Sequence, residues 1–258
     1  MLLHPLGATA ACVALACAPS RTCSITACDS PQPLPADAPS PAKLSLEQVA
    51  VGSVVFVLLH TMGLTAAQLS GVATEGAAVP VRLAATAGFV AVQTAVGLPP
   101  SQWLLAPPAR PARWRWLETP YAPAVGTLAL CVAAALPAAV LSATGDSAAL
   151  AAYLPTPRPL DLPRLLDTLA AAPLTEELFF RAWLLNALSS LEVPDGAALG
   201  VSVLLFVLWH LGVDGGAASH AVTGLWFGLL YQRGGGLRVS AGTHALWNGC
   251  VAALRALR

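Results

Sequence analysis

From residue 48 onward the chain is a succession of apolar stretches, at 49–69, 79–98, 122–142, 162–191, 197–213, 217–231 and 239–257. A helix crosses a bilayer core with about 20 apolar residues, and most of these stretches approach that length. Backbone groups left unpaired in lipid are too costly to persist, so such segments must be helices or a closed barrel. Runs of Ala and Leu with no period-2 alternation decide for helices. The expected fold is all-α, a polytopic membrane helix bundle with roughly seven transmembrane helices.

Composition points the same way. Charged residues make up 10% of 258 and hydrophobic residues 56%, with a mean hydropathy of +0.69. A soluble domain carries about 25% charged residues to solvate its surface, so a water-facing globule of this length is excluded. Formal net charge is zero, which removes bulk attraction to nucleic acid and leaves membrane lipid as the expected surrounding.

Residues 1–47 read differently. They are rich in Ala, Pro, Ser and Thr, and their first charged residue is Arg21. Met1 to Ala18 is apolar enough for a signal-peptide core but lacks the basic n-region. The stretch from there to Lys43 is hydroxylated, Pro-rich and acid-poor, as transit peptides are. Residues 1–47 are therefore expected to be a targeting leader or a disordered tail, and 48–258 the helix bundle. The leader directs the expectation to an organellar membrane, of a plastid or another organelle. Cys12, Cys17, Cys23 and Cys28 in this stretch match no C-x-x-C metal pattern. Cys131 and Cys250 lie in apolar stretches, where a lone Cys behaves as a small hydrophobe. Arg110, Arg113 and Arg115 sit among Trp103, Trp114 and Trp116, a basic and aromatic cluster that marks a membrane interface. Counting spans forward sets Arg233 and Arg238 on the same side.

The polar residues inside the apolar stretches carry the chemistry, because ionisable groups at membrane depth face the bundle interior or a water-filled cavity. The fourth stretch contains Pro173-Leu-Thr-Glu-Glu-Leu-Phe-Phe-Arg181. Glu177 and Arg181 are four apart, share a face and can pair. Glu176 is rotated about 100° from Glu177 and is left without that partner, so it stays free to exchange a proton. The fifth stretch ends Phe206-Val-Leu-Trp-His210, and the last contains His244-Ala-Leu-Trp-Asn248. In both, the polar residue shares a helix face with a residue one turn away. Each motif alone also has a structural reading: an ion pair knitting helices, a capped helix-end histidine, or inter-helix hydrogen bonds worth about 0.6 kcal/mol.

Glu-Glu-x-x-x-Arg, Phe-x-x-x-His and His-x-x-x-Asn occur in this order on successive polar-bearing helices. The series resembles that of the CAAX protease and bacteriocin-processing family, the type II CAAX endopeptidases. Gly224, Gly228 and the turn at 234–236 fall where family members carry glycines. The resemblance covers about residues 160–252 and implies an intramembrane endopeptidase. In that reading Glu176 is the general base that activates water, aided by His210. His244 and Asn248 stabilise the oxyanion, while Glu177, Arg181 and Phe206 support the site. A carboxylate in a low-dielectric cavity suits proton transfer, and donors aimed at developing charge contribute about 3 kcal/mol each in acyl transfer. No Ser or Cys nucleophile with a paired base is evident, so direct attack by water is the simplest scheme.

Zinc held by Glu176, His210 and His244 is the rival mechanism. No H-E-x-x-H sets two ligands on one helix and Asn248 is a poor zinc ligand, so hydrolysis without a metal cofactor is the expectation. His220 and His60 fit no motif and read as helix-end or lumen-facing residues. The polar pocket is expected to be built from three helices, with the other spans as an apolar shell. Span counting sets His210 about 20 Å and His244 about 8 Å from one face, so a shared site requires tilt or a kink near Pro173. The expected substrate is a peptide or a prenylated protein cut near its C-terminus. The alternative is a non-proteolytic scaffold or chaperone that keeps the protease fold.

Overall fold

The structure, a computed structural model, describes residues 44–69, 74–98, 100–103, 115–154, 161–211 and 216–256. Most of the leader, together with Arg110, Arg113 and Trp114, lies outside the described residues. Every apolar stretch folds as a helix, and no strand occurs among the described residues.

Local chemistry sets the ends of the first two helices. Helix α1 spans Leu46–Leu69. It opens with a reciprocal cap in which Ser45 N–H donates to Gln48 Oε1 at 2.8 Å and Gln48 N–H to Ser45 Oγ at 3.2 Å, the Ser-x-x-Gln form of a capping box. This cap carries the helix back beyond the expected start at residue 49. Helix α2 spans Thr74–Ala95. It ends short of the expected residue 98 because Gly97 takes φ +84°. Leu98 N–H then reaches Gln93 O at 2.8 Å and Gly97 N–H reaches Thr94 O at 3.1 Å, a Schellman stop.

Helix α3, Ala122–Ala143, presents Val125, Leu128, Val132, Leu136 and Val140 outward on one face. Its other face packs against the last helix, Gly236–Ala256, and from the helix before that one, Gly216–Leu230, Trp226 Nε1 donates to Gly126 O at 3.0 Å. Helix α4, Ser147–Tyr153, has no counterpart among the expected spans. Asp146 caps it by accepting from Ala149 N–H at 2.9 Å, and it is too short to give a hydropathy signal.

Helix α5 runs over 162–190 and is the central rod of the bundle. It is capped by Asp161, whose Oδ1 accepts from Arg164 N–H at 2.8 Å, and two stretches, Asp167–Ala171 and Leu178–Leu185, wind as wider π-helix. Phe179, Phe180, Ala182, Trp183, Leu184 and Leu185 are all buried, as expected of a helix that is apolar on every side. Phe56 of α1 stacks on Phe179 at 3.8 Å, Phe179 stacks on Trp183 at 5.6 Å, and Phe89 of α2 meets all three rings edge-on. Gly52 of α1 makes this approach possible, since a Cβ there would overlap the Trp183 ring and stand 2.8 Å from Gln93 Nε2. Gly52→Ala should therefore cost about 1–3 kcal/mol of stability through overpacking. A denaturant titration in detergent micelles checks this; an unchanged midpoint would contradict it.

Helices α6, Asp195–Trp209, and α7, Gly216–Leu230, pack against each other. A wide turn over Tyr231–Gly235 leads into α8, Gly236–Ala256. Gly236 has φ +58° and ψ −168°, a conformation open essentially to glycine alone. Arg238 Nη2 donates to Leu117 O and Thr119 O, both at 3.3 Å, so the 115–119 segment and the start of α8 share one end of the bundle. Among the described residues, three segments can cross a membrane by length and composition: Leu46–Ala67, Ala77–Ala95 and Ala122–Ala143. The protein is a membrane protein whose motif-bearing helices α5 to α8 are shorter, interrupted or more polar.

Candidate active site

Pro173 begins the local logic of the site. Within the wide turn before it, Ala172 N–H bonds to Asp167 O, an i to i−5 register. The next donor in that register would be residue 173, which as proline has no N–H, so the carbonyl of Thr168 loses its helical partner. Asn248 of α8 supplies one, donating Nδ2 to Thr168 O at 3.1 Å. Buried carbonyls need such partners. Asn248→Ala should lower stability by about 1 kcal/mol, read as a lowered thermal midpoint in detergent; an unaltered midpoint would show that the carbonyl finds another donor. One of the two Asn248 amide protons is thus engaged with α5.

One turn beyond Pro173, Glu176 and Glu177 are both buried. Glu177 is enclosed on every side. Ser240 Oγ donates to its Oε2 at 2.8 Å, Arg181 Nε stands 3.4 Å from the same oxygen, and His244 Nδ1 lies 3.0 Å from Oε1. Arg181 is itself fully buried, donates Nη2 to Gly224 O at 2.9 Å, and lies over the Phe206 ring at 4.7 Å. The pairing of Glu177 with Arg181 expected from their spacing is present.

Glu176 is not left alone. Its Oε1 lies 3.5 Å from Nη1 of Arg82 on α2, and Arg82 Nε lies 3.0 Å from Asp167 Oδ1. Arg181 is not the partner of Glu176, as its spacing implies, but Arg82 is a second cation that the spacing does not reveal; the expected three-helix pocket is corrected, since α2 is a fourth wall. Its other oxygen, Oε2, makes no hydrogen bond among the described residues. It lies 3.5 Å from His210 Nε2 and 3.9 Å from His244 Nε2. The three motifs thus converge on one carboxylate oxygen, and the depth mismatch counted from span boundaries disappears. Helix α6 stops at Trp209, and α8 starts at Gly236, a few residues earlier than expected.

Hydrogen bonds fix both imidazole tautomers. His210 Nδ1 lies 2.8 Å from Phe206 O; a carbonyl only accepts, so Nδ1 carries the proton. Glu177, as a carboxylate, likewise requires a proton on His244 Nδ1. In their neutral forms both rings therefore turn an Nε2 lone pair toward Glu176 Oε2. Three acceptors meeting at one point demand a proton or a water molecule between them.

Aromatic faces hold these rings in place. Phe227 stacks on His244 at 4.5 Å, and Phe206 lies 4.4 Å from His210. His220 of α7, which fits no motif, stacks on His210 at 4.4 Å with planes 21° apart. Gly224 leaves the room for Phe206, since a Cβ there would come 3.0 Å from its Cδ1. His60, read from the sequence as a helix-end or lumen-facing residue, is fully buried. It bonds Phe56 O through Nδ1 at 2.9 Å and meets Trp209 edge-on. Arg82 and the two stacking partners belong to none of the three motifs. Arg82 alone has a usable signal, being the one charged residue between 76 and 98.

The fold and site together define a membrane helix bundle with a buried carboxylate–imidazole centre. Residues 158–250 match a family model described as Rce1-like, type II CAAX prenyl endopeptidase. This bears out the resemblance drawn from the three motifs, over α5 to α8. No curated protein and no solved structure matches the chain. Helices α1 to α4, with Arg82 and His60, lie outside the matched segment.

Proposed function

We propose that the protein is an intramembrane endopeptidase in which Glu176 activates water for attack on a peptide bond. The observation that carries this reading is the unbonded Glu176 Oε2, buried and facing the Nε2 atoms of His210 and His244 at 3.5 and 3.9 Å. A water within hydrogen-bonding distance, about 2.8 Å, of both Oε2 and His210 Nε2 forms a triangle on that edge. Glu176 takes one of its protons as the oxygen attacks the carbonyl carbon. His244, when it carries its second proton on Nε2, and the remaining amide proton of Asn248 donate to the oxyanion. Collapse of the tetrahedral intermediate breaks the C–N bond, and Glu176 returns the proton to the leaving amine. Products are a carboxylate and an amine, and no covalent enzyme intermediate forms.

Hydrolysis proceeds without a metal in this proposal. A guanidinium already 3.5 Å from Glu176 Oε1 disfavours a dication on the same carboxylate. The substrate is a peptide segment that enters from the membrane, either near the C-terminus of a prenylated protein or without a lipid. The leader directs the proposal to an organellar membrane, so both classes belong in one test. Purified protein in liposomes is incubated with quenched peptides, prenylated CAAX-type and plain. Cleavage of one class identifies the substrate. Failure to cut any of them would turn the reading to the scaffold alternative.

A further inference from the structure

We infer that Arg82 is a positioning residue of this site, one that divides the labour of the two Glu176 oxygens. The inference rests on the reading of Glu176 as the base.

Arg82 engages Asp167 through Nε at 3.0 Å and Glu176 Oε1 through Nη1 at 3.5 Å. A guanidinium is planar and keeps its charge at all accessible pH values. The contact of Nε with Asp167 Oδ1 is a charge contact rather than an aligned hydrogen bond, and the attraction restricts where Nη1 points. The carboxylate of Glu176 is planar too, so drawing Oε1 toward Arg82 turns Oε2 toward His210 and His244. Without that pull nothing among the described contacts of Glu176 selects which oxygen faces the imidazoles.

The placement of α2 supports the assignment. One turn along from Arg82, the Thr86 hydroxyl donates to Arg82 O at 2.7 Å and lies 3.1 Å from the Thr175 hydroxyl, next to Glu176 in sequence. Helix α2 is thus docked on α5 beside the reacting carboxylate. The pair also differs from the purely internal one. Arg181 and Glu177 side chains are both 0% exposed, whereas Arg82 and Asp167 are 18% and 19% exposed. Each glutamate of the adjacent pair has its own guanidinium: one on a fully enclosed side chain, the other on a side chain that is partly exposed.

The test uses the full chain in liposomes with a peptide that the wild type cleaves, and compares Arg82→Gln, Asp167→Asn and Glu176→Gln. Misdirecting a reacting group by about 1 Å can cost about 100-fold. Arg82→Gln is therefore expected to lower kcat by about that factor, with KM within twofold of wild type. Asp167→Asn, which weakens the attraction on Nε and leaves Arg82 in place, should lower kcat by about tenfold. In Arg82→Ala, added methylguanidinium should restore at least tenfold of the lost rate, while leaving wild type and Glu176→Gln unchanged. A helix-docking role would not produce that rescue. Wild-type kcat in Arg82→Gln beside an inactive Glu176→Gln would overturn this inference alone. Should Arg82→Gln fail to fold, wild-type kcat in Asp167→Asn would overturn it equally. Full activity in Glu176→Gln would instead remove the reading of the base.

Discussion

Glu176→Gln should abolish most peptide cleavage, lowering kcat about a thousandfold while leaving the protein folded. General-base catalysis contributes about 10²–10⁴-fold, and Gln keeps the shape of the carboxylate while losing its ability to take a proton. The fold should tolerate the change, because the loss of one carboxylate leaves Arg82 with Asp167 beside it and strands no uncompensated buried charge. Glu176 is 4% exposed by side chain, and its cationic neighbour Arg82 keeps Asp167 as a partner. The comparison needs single-turnover rates and a thermal midpoint from the same preparation. Loss of both together would mean that Glu176 holds the bundle rather than serving the reaction.

The second large effect is on stability. Arg181→Met should destabilise the protein by about 3–5 kcal/mol, since it strands Glu177 as an unpaired charge in a fully buried position. Glu177 and Arg181 both have 0% side-chain exposure, and the pair is knitted to α8 by Ser240 and His244 and to α7 by Gly224. The double substitution Arg181→Met with Glu177→Gln should recover much of that loss, because no charge is then left behind. Denaturant titration of the single and double variants reads this coupling. A single variant as stable as wild type would mean that Glu177 takes up a proton at little cost.

How much of the molecule is legible in the sequence depends on the range of each interaction. Hydropathy finds every long helix because lipid imposes one requirement on all of them, while helix ends are set by local chemistry. The cap between Ser45 and Gln48 extends α1, and the left-handed Gly97 shortens α2. Helix α6 ends at Trp209, where His210 turns its Nδ1 back onto Phe206 O. Helix α4 escapes detection because seven residues carry no periodic signal.

The site divides in the same way. Pairing of Glu177 with Arg181 lies within one helix and comes directly from spacing. Convergence of Glu176, His210 and His244 is legible in the order of three motifs, which no single helix encodes. The contacts of Arg82 with Asp167 and Glu176, and of His220 with His210, are long-range and leave no spacing to read. Arg82 still carries a signal, since an ionisable residue within an apolar span is by default a site candidate. Asn248 is recognised by its motif, but its bond to Thr168 is explained by Pro173 only once the wide helical register is known.

In the proposed mechanism a glutamate, and no metal ion, activates the water. That assignment is tested most directly by stripping the purified protein with a strong chelator in liposomes. Residual metal is measured by mass spectrometry, and kcat is then determined on a peptide the untreated protein cleaves. An unchanged kcat is expected at far less than one metal ion per chain, with Glu176→Gln inactive under the same conditions. Loss of cleavage on stripping, restored by adding zinc, would contradict it and assign Glu176, His210 and His244 to a metal instead.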